Sequence, residues 1–522
     1  MVRMKSSRSY RSGLLIAGLL VLAQIACVLS NPTPAVWSLT PTAQARAARG
    51  TALAQTQAAD NQPLPTFTLT PSLVPLTPTP PTTTLLDTGP WLVYPSDGGK
   101  SLVALNPDGS SLTRIALPPL IDVSDLGTAI SPQGGLVALR TGQRSSYSDL
   151  KLVLLRLPTG AIETLSPLLS TYLQNLVNGG EGGDRPRLAA QAVCGRNTLS
   201  WSPDGRYLAF IGAIDGDSSD LYAYDTLQRQ TIRLTTGSNQ AATPFWSPDS
   251  QWVITQEFSG YTPAGNLRLT NVWAANISSR EIVKLYTPPS DSSVETFLGW
   301  SGAEQMLSYS SNLLGGYDLR RVDIAHTTVQ SILPGPFSEL AYDPASKSMA
   351  FIVSGAAVAN GPENTRINLT AGLYLMPLDG EPRLVETGDL HSLRWSGQNT
   401  VFYASSSLGV SRVSPDGSTS LVYNEANALL SPSGSWLAGW GHAPEDSRPG
   451  LRLYQTNGDL LQSVSNDSIQ DLAWQPGSNG FFFLAGSRLY LVNFPQLQAI
   501  LLDGTIQPGQ KAGLIWFPGL SR

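Results

Sequence analysis

Residues 199–234 read LSWSPDGRYLAF, IGAIDGDSS and DLYAYDTLQRQTIRL, and this stretch decides the fold. Its apolar pieces are short, and they are separated by clusters of Ser, Pro, Asp and Gly. Alternation with a period of two between such clusters is typical of β-strands joined by tight turns. The stretch therefore predicts one small sheet of four strands, which we name A to D in chain order.

Weaker copies of the first part of this stretch recur through the chain. They read AISPQGGLVAL from Ala129, FWSPDSQWVIT from Phe245, GWSGAEQMLSY from Gly299, AYDPASKSMAF from Ala341, RWSGQNTVFYA from Arg394, LLSPSGSWLAG from Leu429 and LAWQPGSNGFFFLA from Leu472. Successive copies after Trp201 start about 36 to 54 residues apart, which is near the spacing of four-stranded propeller blades. The sequence thus predicts an all-β domain over residues 89–522, a single closed β-propeller of four-stranded blades.

The repeat also carries a family resemblance. The segment from Trp201 to Asp225 resembles the TolB-like, WD40-like (PD40) repeat of bacterial cell-envelope β-propellers, whose pattern is close to WSPDG–LAF–LY–D. The other units match it more loosely, and the turns at Ser301-Gly302 and Ser396-Gly397 lack the Pro-Asp pair. The resemblance implies a propeller and leaves the borders of single blades open.

The number of blades and the closure of the ring follow from the two chain ends. The first unit, residues 91–116, supplies strands B, C and D, and residues 513–518 supply an unpaired strand A. Pairing them would remove the open sheet edges and close the ring. The direct count is nine blades, with eight as the alternative if a weak unit is absorbed.

The N-terminal residues predict export. Four basic residues precede the uncharged, mostly apolar residues 13–30, the pattern of a signal peptide or membrane anchor. Three outcomes stay open: lipidation of Cys27, which follows the lipobox-like Gln24-Ile25-Ala26; an uncleaved anchor; and cleavage after Ser30. Each outcome places the remainder outside the cytoplasm, and the first two leave it attached to a membrane through its N-terminus.

Residues 31–88 predict a disordered stalk, first Ala-rich and then Thr/Pro-rich. The Ala-rich part has no apolar stripe along its length, and residues 61–86 carry no charge and repeat Thr and Pro, so this segment cannot build a core. The whole chain of 522 residues has a net charge of −5, so we expect no nucleic-acid partner. Its cysteines, Cys27 and Cys194, exclude a disulfide scaffold, and Cys194 reads as a small buried apolar residue. With three histidines, we expect no metal site and no cofactor.

Loop lengths predict which face of the propeller binds a ligand. The A–B and C–D turns are short, whereas the B–C loops 141–149, 257–266, 354–371 and 441–450 and the D–A link 166–196 are long and project from the opposite face. Binding loops on a rigid scaffold are the usual arrangement. The candidate binding residues on that face are Tyr147, Asp184, Arg185, Arg187, Tyr261, Glu363, Arg366, His442, Glu445 and Arg448.

The link 166–196 has features of its own. Ser166-Pro167 reads as the N-cap and first residue of a short helix, with Gly179 as its stop. Leu169, Leu173 and Leu176 would line its apolar side. Residues 181–187, EGGDRPR, read as a flexible charged loop. This loop could cover the central channel or touch a partner.

Two functional hypotheses from different classes follow. No G-x-S-x-G motif and no recognisable catalytic set occurs in the sequence, so we name no catalytic residue. The first hypothesis is a tethered, monomeric, non-catalytic module that binds protein, peptide or glycan in the cell envelope. The alternative is a propeller enzyme acting on extracellular glycans. Two carboxylates facing each other about 5–10 Å apart across a pocket would favour the enzyme.

Overall fold

The computed structural model describes residues 85, 88–127, 129–180, 183–261, 267–288, 294–311, 317–334, 337–353, 357–360, 366–388, 390–395, 402–406, 409–413, 419–423, 427–441, 450–455, 459–506 and 513–518. The compact unit that contains them spans Thr83–Arg522. Within it, nearly all regular structure is β-strand, arranged as successive antiparallel sheets. The predicted all-β propeller is confirmed.

We number the sheets in chain order. Sheet 1 contains β1 (Trp91–Ser96), β2 (Ser101–Leu105) and β3 (Thr113–Ala116), and sheet 2 contains β4 (Leu136–Gln143), β5 (Ser148–Arg156) and β6 (Ala161–Pro167). Sheet 3 contains β7 (Leu199–Trp201), β8 (Tyr207–Gly212), β9 (Asp220–Asp225) and β10 (Gln230–Arg233). Sheet 4 contains β11 (Gln240–Trp246), β12 (Trp252–Tyr261), β13 (Leu267–Asn276) and β14 (Ile282–Tyr286).

Sheet 5 contains β15 (Val294–Gly302), β16 (Gln305–Ser311), β17 (Tyr317–Asp323) and β18 (Thr328–Pro334). Sheet 6 begins with β19 (Phe337–Asp343) and β20 (Ser348–Val353), and a separate hairpin of β21 (Ala357–Asn360) and β22 (Arg366–Leu369) follows. The chain then returns to sheet 6 for β23 (Gly372–Pro377) and β24 (Arg383–Thr387).

Sheet 7 contains β25 (Leu390–Trp395), β26 (Phe402–Ser406), β27 (Gly409–Val413) and β28 (Thr419–Tyr423). Sheet 8 contains β29 (Asn427–Leu430), β30 (Trp436–Trp440), β31 (Leu451–Gln455) and β32 (Leu460–Ser465). Sheet 9 contains β33 (Ile469–Trp474), β34 (Gly480–Ala485), β35 (Arg488–Asn493) and β36 (Ala499–Asp503). The last strand, β37 (Ile515–Phe517), belongs to sheet 1.

The two chain ends close the ring as predicted. β37 pairs antiparallel with β1, with Leu92 opposite Trp516 and Val93 opposite Ile515. Sheet 1 is also bonded to sheet 9, because the Tyr94 hydroxyl donates to a carboxylate oxygen of Asp503 at 2.7 Å. Phe517 is fully buried. The closing strand therefore stabilises both the first blade and its junction with the last.

The blade count agrees with the alternative of eight. Eight sheets are four-stranded, and sheet 2, the unit predicted from Ala129, has three strands and a single bridge between Ile130 and Val137 in place of strand A. A short 3-10 helix, Val123–Gly127, comes directly before that place. The Ala129 amide donates to the Asp125 carbonyl at 2.9 Å, so this segment follows the helix rather than a full strand ladder.

The recurring tryptophan links neighbouring sheets. The indole nitrogen of Trp201 donates to the Ala129 carbonyl at 2.7 Å, that of Trp246 to Ser200 at 2.9 Å, and that of Trp474 to Leu429 at 3.0 Å. In each case the acceptor belongs to the first segment of the preceding sheet. These three side chains are buried, which supports the prediction that they are packing residues.

Two helices interrupt the β-architecture between sheets 2 and 3. Helix α1 is Thr171–Gly179 and helix α2 is Asp184–Val193. The predicted helix start is wrong, because Ser166 and Pro167 lie in β6 and the N-cap is Ser170, whose hydroxyl accepts the Leu173 amide at 3.1 Å. The outer strand of a sheet tolerates proline because the missing N–H faces away from the ladder. The interpretation of residues 181–187 as a flexible loop is also wrong from Asp184 onward, where α2 begins.

Candidate functional site

The two faces of the propeller differ in the hydrogen bonds that their turns and loops form. We define the short-turn face by the A–B and C–D turns and the loop face by the B–C loops and D–A links. In sheet 3, Arg206 of the A–B turn donates to Asp225 at the C–D turn at 2.8 Å, so both turns lie on one side. The Asp204 amide of sheet 3 also donates to the Ser250 hydroxyl of sheet 4 at 3.1 Å. The polar groups of this face are thus partly used to join blades.

On the loop face, helices α1 and α2 are fixed to the B–C loop of sheet 3. The Ser170 amide donates to the Ala213 carbonyl at 2.9 Å. At the other end of the insertion, Arg185 forms an ion pair with Asp217 at 2.9 Å. Leu173 of α1 and Val193 of α2 are buried in the apolar core shared by sheets 2, 3 and 4. The insertion is therefore a packed part of the fold.

The structure brings several predicted residues together around α2. The Tyr261 hydroxyl from sheet 4 donates to Gln191 of α2. Tyr147, in the B–C turn of sheet 2, packs half-buried against the same core. Burial raises the pKa of both tyrosines, and the positive charge of Arg187 partly opposes this rise in each of them. Tyr147, Tyr261 and Arg187 therefore belong to one neighbourhood.

The charged residues at the start of α2 differ in exposure. Asp184 and Arg187 are exposed and lie 3.9 Å apart at their closest charged atoms. An exposed pair of this kind stabilises the helix little, so both groups can interact with a partner at small cost. Asp184 also lies in the first turn of α2, where a negative charge is favourable.

The remaining predicted residues are not placed in this neighbourhood. Arg366 is the first residue of β22, where it pairs in register with Asn360. Glu363, His442, Glu445, Arg448 and Cys27 lie outside the described residues. In the described part of the chain, no helix combines the length and apolar character needed to cross a membrane.

The prediction missed a buried charged cluster centred on Arg140 of β4. All five N–H groups of its guanidinium have acceptors. Nε and Nη2 donate to the two Asp125 carboxylate oxygens at 2.9 and 2.7 Å, and Nη2 also donates to Asp122 at 3.2 Å. Nη1 donates to the carbonyls of Val193 and Gly195 at 3.1 and 2.7 Å. Arg140 thereby places a positive charge at the carbonyl end of α2, where it is favourable.

A cavity of about 260 Å³ lies beside this cluster on the loop face, and we call it the β4–α2 cavity. One part of its wall is apolar and is formed by Leu150, Leu168 and Val193. Another part is polar and includes Arg144 and Cys194. Pockets that enclose a whole drug-sized ligand usually measure about 300–1,000 Å³, so this cavity suits a group about the size of one amino-acid residue.

The electrostatics of the β4–α2 cavity follow from burial. Burial lowers the pKa of the Arg144 guanidinium, which pairs with Asp122, a carboxylate that Arg140 also binds. Burial raises the pKa of the Cys194 thiol, although Arg144 and Arg140 act in the opposite direction. The thiol is therefore held protonated at neutral pH and is a poor nucleophile.

The carboxylates near the loop face are held in ion pairs and hydrogen bonds. No group of three potential metal ligands occurs among the described residues. The carboxylates of the loop after β8 are each bonded elsewhere: Asp217 to Arg185, Asp220 to Arg233 at 2.6 Å, and Asp215 to the Tyr222 hydroxyl at 3.3 Å. Asp122 is the one carboxylate among the described residues that line the β4–α2 cavity.

The closed ring of four-stranded sheets makes the chain a β-propeller. No family model matches the sequence. A 54-residue stretch is 41% identical to the uncharacterized peptidase YuxL of Bacillus subtilis, covering 10% of this chain and 8% of that protein. The chain therefore spans a small fraction of the curated relative that it matches.

Solved structures that resemble the chain include several proteins of different functions. Dipeptidyl peptidase 4 of Porphyromonas gingivalis is 12% identical with a TM-score of 0.47, over 76% of this chain and 64% of that one. A eukaryotic initiation factor is 13% identical with a TM-score of 0.45, over 82% and 98%. TolB of Acinetobacter baumannii is 15% identical with a TM-score of 0.29, over 57% and 63%. TolB proteins are thus among the structural neighbours, together with peptidases.

Proposed function

We propose that the chain is a TolB-like, extracytoplasmic β-propeller that is tethered to the envelope and binds a protein or peptide through its loop face without catalysis. The observation that carries the proposal is the α1–α2 insertion. It is fixed by sheets 2, 3 and 4 and presents exposed groups beside a cavity. Rigid scaffolds that present loops and short helices in this way are typical of recognition surfaces.

The exposed groups of the insertion match the composition of binding surfaces. Tyr172 of α1 is 65% exposed, which is high for a large aromatic side chain. Arg187 of α2 is exposed on the same insertion. Tyr and Arg are enriched among the residues that dominate binding energy at protein interfaces. These two residues are therefore the first to test.

The tether is part of the same proposal. Residues 1–30 would act as a signal peptide or membrane anchor, with lipidation of Cys27 as one of the three outcomes, and residues 31–88 would form the stalk. The residues from 89 onward would then be held at the membrane by the N-terminus. Mass spectrometry of the chain purified from membranes distinguishes a lipid on Cys27, an intact N-terminus and cleavage after Ser30.

The experiment compares capture of envelope proteins by the full-length chain and two variants. Tyr172→Ser/Arg187→Glu changes the loop face. Leu227→Ser/Glu304→Lys is the matched control, because it changes one exposed apolar group and one exposed charge on the short-turn face. After cross-linking in membrane extracts, we expect the loop-face variant to lose partners that the control retains. Equal capture by both variants would contradict a role for the insertion.

The glycan-hydrolysing alternative stays a prediction. It requires an acid and a second carboxylate on opposite sides of a bound sugar. In the described lining of the β4–α2 cavity, the Asp122 carboxylate forms ion pairs with Arg140 and Arg144. Release of reducing sugar from purified envelope polysaccharides by the wild-type chain would favour the alternative.

A further inference from the structure

We propose that the β4–α2 cavity binds a carboxylate attached to an aliphatic group, with the carboxylate on Arg144 and the aliphatic group against Leu150, Leu168 and Val193. The C-terminal residue of a peptide and a free aliphatic acid share this chemistry. The inference rests on the proposed binding function and names the ligand class for one part of the loop face.

The charges single out Arg144 as the cation available to a ligand. Arg140 has no N–H left, because its five donors are used by Asp125, Asp122 and two carbonyls of the α2 terminus. Arg144 shares the Asp122 carboxylate with Arg140, and its side chain is 41% exposed. The Arg144 guanidinium is thus partly removed from water, and the one carboxylate it pairs with also binds Arg140. An incoming carboxylate would replace lost hydration with a charge-assisted bond.

The shape explains why the ligand needs an aliphatic group. The side chains of Leu168 and Val193 are each 1% exposed and that of Leu150 is 6% exposed, although they line the cavity. Water in such a space finds few polar partners on this wall. A Leu- or Val-sized group of the ligand placed against this wall removes its own apolar surface from water, which is favourable by roughly 25 cal/mol per Å².

The backbone around Arg144 is held in a defined and unusual conformation. Tyr147 and Asp149 have φ angles of +51° and +55°, a region that side chains other than Gly, Asn and Asp seldom adopt. Gly142 has a φ of +114°, and a Cβ there would lie 2.5 Å from the Asp149 carbonyl oxygen. Gly142 is therefore required for this turn. Positive φ angles also occur at turns elsewhere in the propeller, and here they fix the turn that carries Arg144.

The test measures binding of defined probes to the full-length chain in detergent micelles by isothermal titration calorimetry. The probes are N-acetyl-leucine and the peptide acetyl-Gly-Ser-Gly-Leu, each with a free carboxylate and as the C-terminal amide. We expect the free acids to bind at least tenfold more tightly than the amides, since a bond between two charges is lost in the amide. Tighter binding of the peptide than of N-acetyl-leucine identifies a peptide C-terminus as the ligand, and the reverse identifies a free acid.

Three variants locate the site. Arg144→Gln is expected to weaken binding of the acids at least tenfold. Arg488→Gln, which changes an exposed cation at the start of β35 outside the cavity lining, should leave binding unchanged. Cys194→Met keeps the charges and narrows the cavity, so it should weaken the leucine probes more than the acetyl-Gly-Ser-Gly-Gly acid. If Arg144→Gln fails to fold, Arg144→Lys replaces it and is expected to retain part of the affinity.

Three results would overturn the inference: equal binding of acids and amides, unchanged binding in Arg144→Gln, or absence of binding by all probes at about 10 mM. Each of these could occur while Tyr172→Ser/Arg187→Glu still loses its envelope partners. In that case the proposed function stands and the ligand class named here is wrong. Conversely, carboxylate binding without any loop-face partner would support the cavity and contradict the wider proposal.

Discussion

Replacing Arg140 tests whether the buried charged cluster fixes the α1–α2 insertion. Arg140 and Asp125 have side chains that are each 5% exposed, so Arg140→Met removes the buried cation that binds both Asp125 carboxylate oxygens. Removing one member of a buried ion pair destabilises by about 3–5 kcal/mol, because the other charge stays buried and uncompensated. Loss of a cation at the end of α2 adds up to about 1 kcal/mol. We therefore expect a loss of about 4 kcal/mol.

The companion variants separate the ion pair from the loss of packing. Asp125→Asn alone leaves the Arg140 charge with Asp122 as the carboxylate beside it. The double variant Arg140→Met/Asp125→Asn removes both charges of the pair. We expect the double variant to be more stable than the sum of the single effects predicts, by about 2 kcal/mol. The control is Arg185→Met, whose ion pair with Asp217 is more than 40% exposed on both sides and is worth at most about 1 kcal/mol.

Two measurements check the prediction. Urea denaturation followed by tryptophan fluorescence gives the free energy of unfolding, and tryptic cleavage between Arg187 and Leu188 reports local opening of α2. A loss of 4 kcal/mol corresponds to about a thousandfold increase in the open population. Arg140→Met within 1 kcal/mol of wild type, or exactly additive single effects, would refute the view that the cluster fixes the insertion.

Three further predictions concern closure, pH and thiol reactivity. Phe517→Ala removes a fully buried ring from the closing strand and should cost about 3–5 kcal/mol in urea denaturation, whereas a cost under 1 kcal/mol would contradict closure by β37. Burial raises the pKa of Glu295 from 4.5 to about 7 although Arg320 opposes it, so the folded chain retains a proton that the unfolded chain releases. Stability should therefore fall as pH rises from about 4.5 to 7, and Glu295→Gln should flatten that slope in urea titrations; an unchanged slope would contradict the assignment. Cys194 should react slowly with iodoacetamide at pH 7.5 in peptide mapping, and labelling as fast as that of a free thiol would contradict a raised pKa.

The repeating part of the fold was predictable because each sheet carries its own signals. Ser202 shows why the Ser-Pro-Asp-Gly turn is a reliable one: its hydroxyl accepts the Tyr207 amide at 2.8 Å and donates to Asp204 at 2.5 Å. The same contacts recur at Ser247, whose hydroxyl accepts the Trp252 amide at 2.9 Å. Local sequence and local structure agree there, so a copy of the motif identifies a copy of the turn.

The α1–α2 insertion was only partly predictable because its stability comes from other parts of the chain. The sequence DRPRLAAQAV has a proline at its third position and small alanines on its buried side, so neither helix propensity nor an apolar stripe marks it clearly. Pro186 is tolerated because the first-turn N–H groups have no partner within the helix. Ala189 and Ala190 are fully buried against the sheets, a contact that only tertiary structure reveals.

The cavity residues were missed for a related reason, although one signal was available. Arg140 is a charged residue inside the apolar strand LVALR of a chain with only 14% charged residues. A charge in such a place must be paired when the strand is buried, so it indicates acidic partners nearby in space. Its partners, Asp122 and Asp125, lie 18 and 15 residues earlier in sequence. The sequence could indicate that such partners exist but not that they adjoin a cavity.

The arrangement of buried charges links the architecture of sheet 2 to its proposed role. Because residues 123–127 form a 3-10 helix, the Asp125 carboxylate lies within hydrogen-bond distance of Arg140 in β4. Where a full strand A would lie, sheet 2 has a single bridge, between Ile130 and Val137. The segment just before that helix instead pairs with β4, since the Asp122 amide donates to the Arg140 carbonyl at 2.7 Å. This exchange brings Asp122 to the edge of the β4–α2 cavity, where it meets Arg144. The three-stranded sheet 2 and the cavity therefore have one physical origin. A variant that restored a regular strand A in sheet 2 should abolish both the cavity and the binding of carboxylates to it.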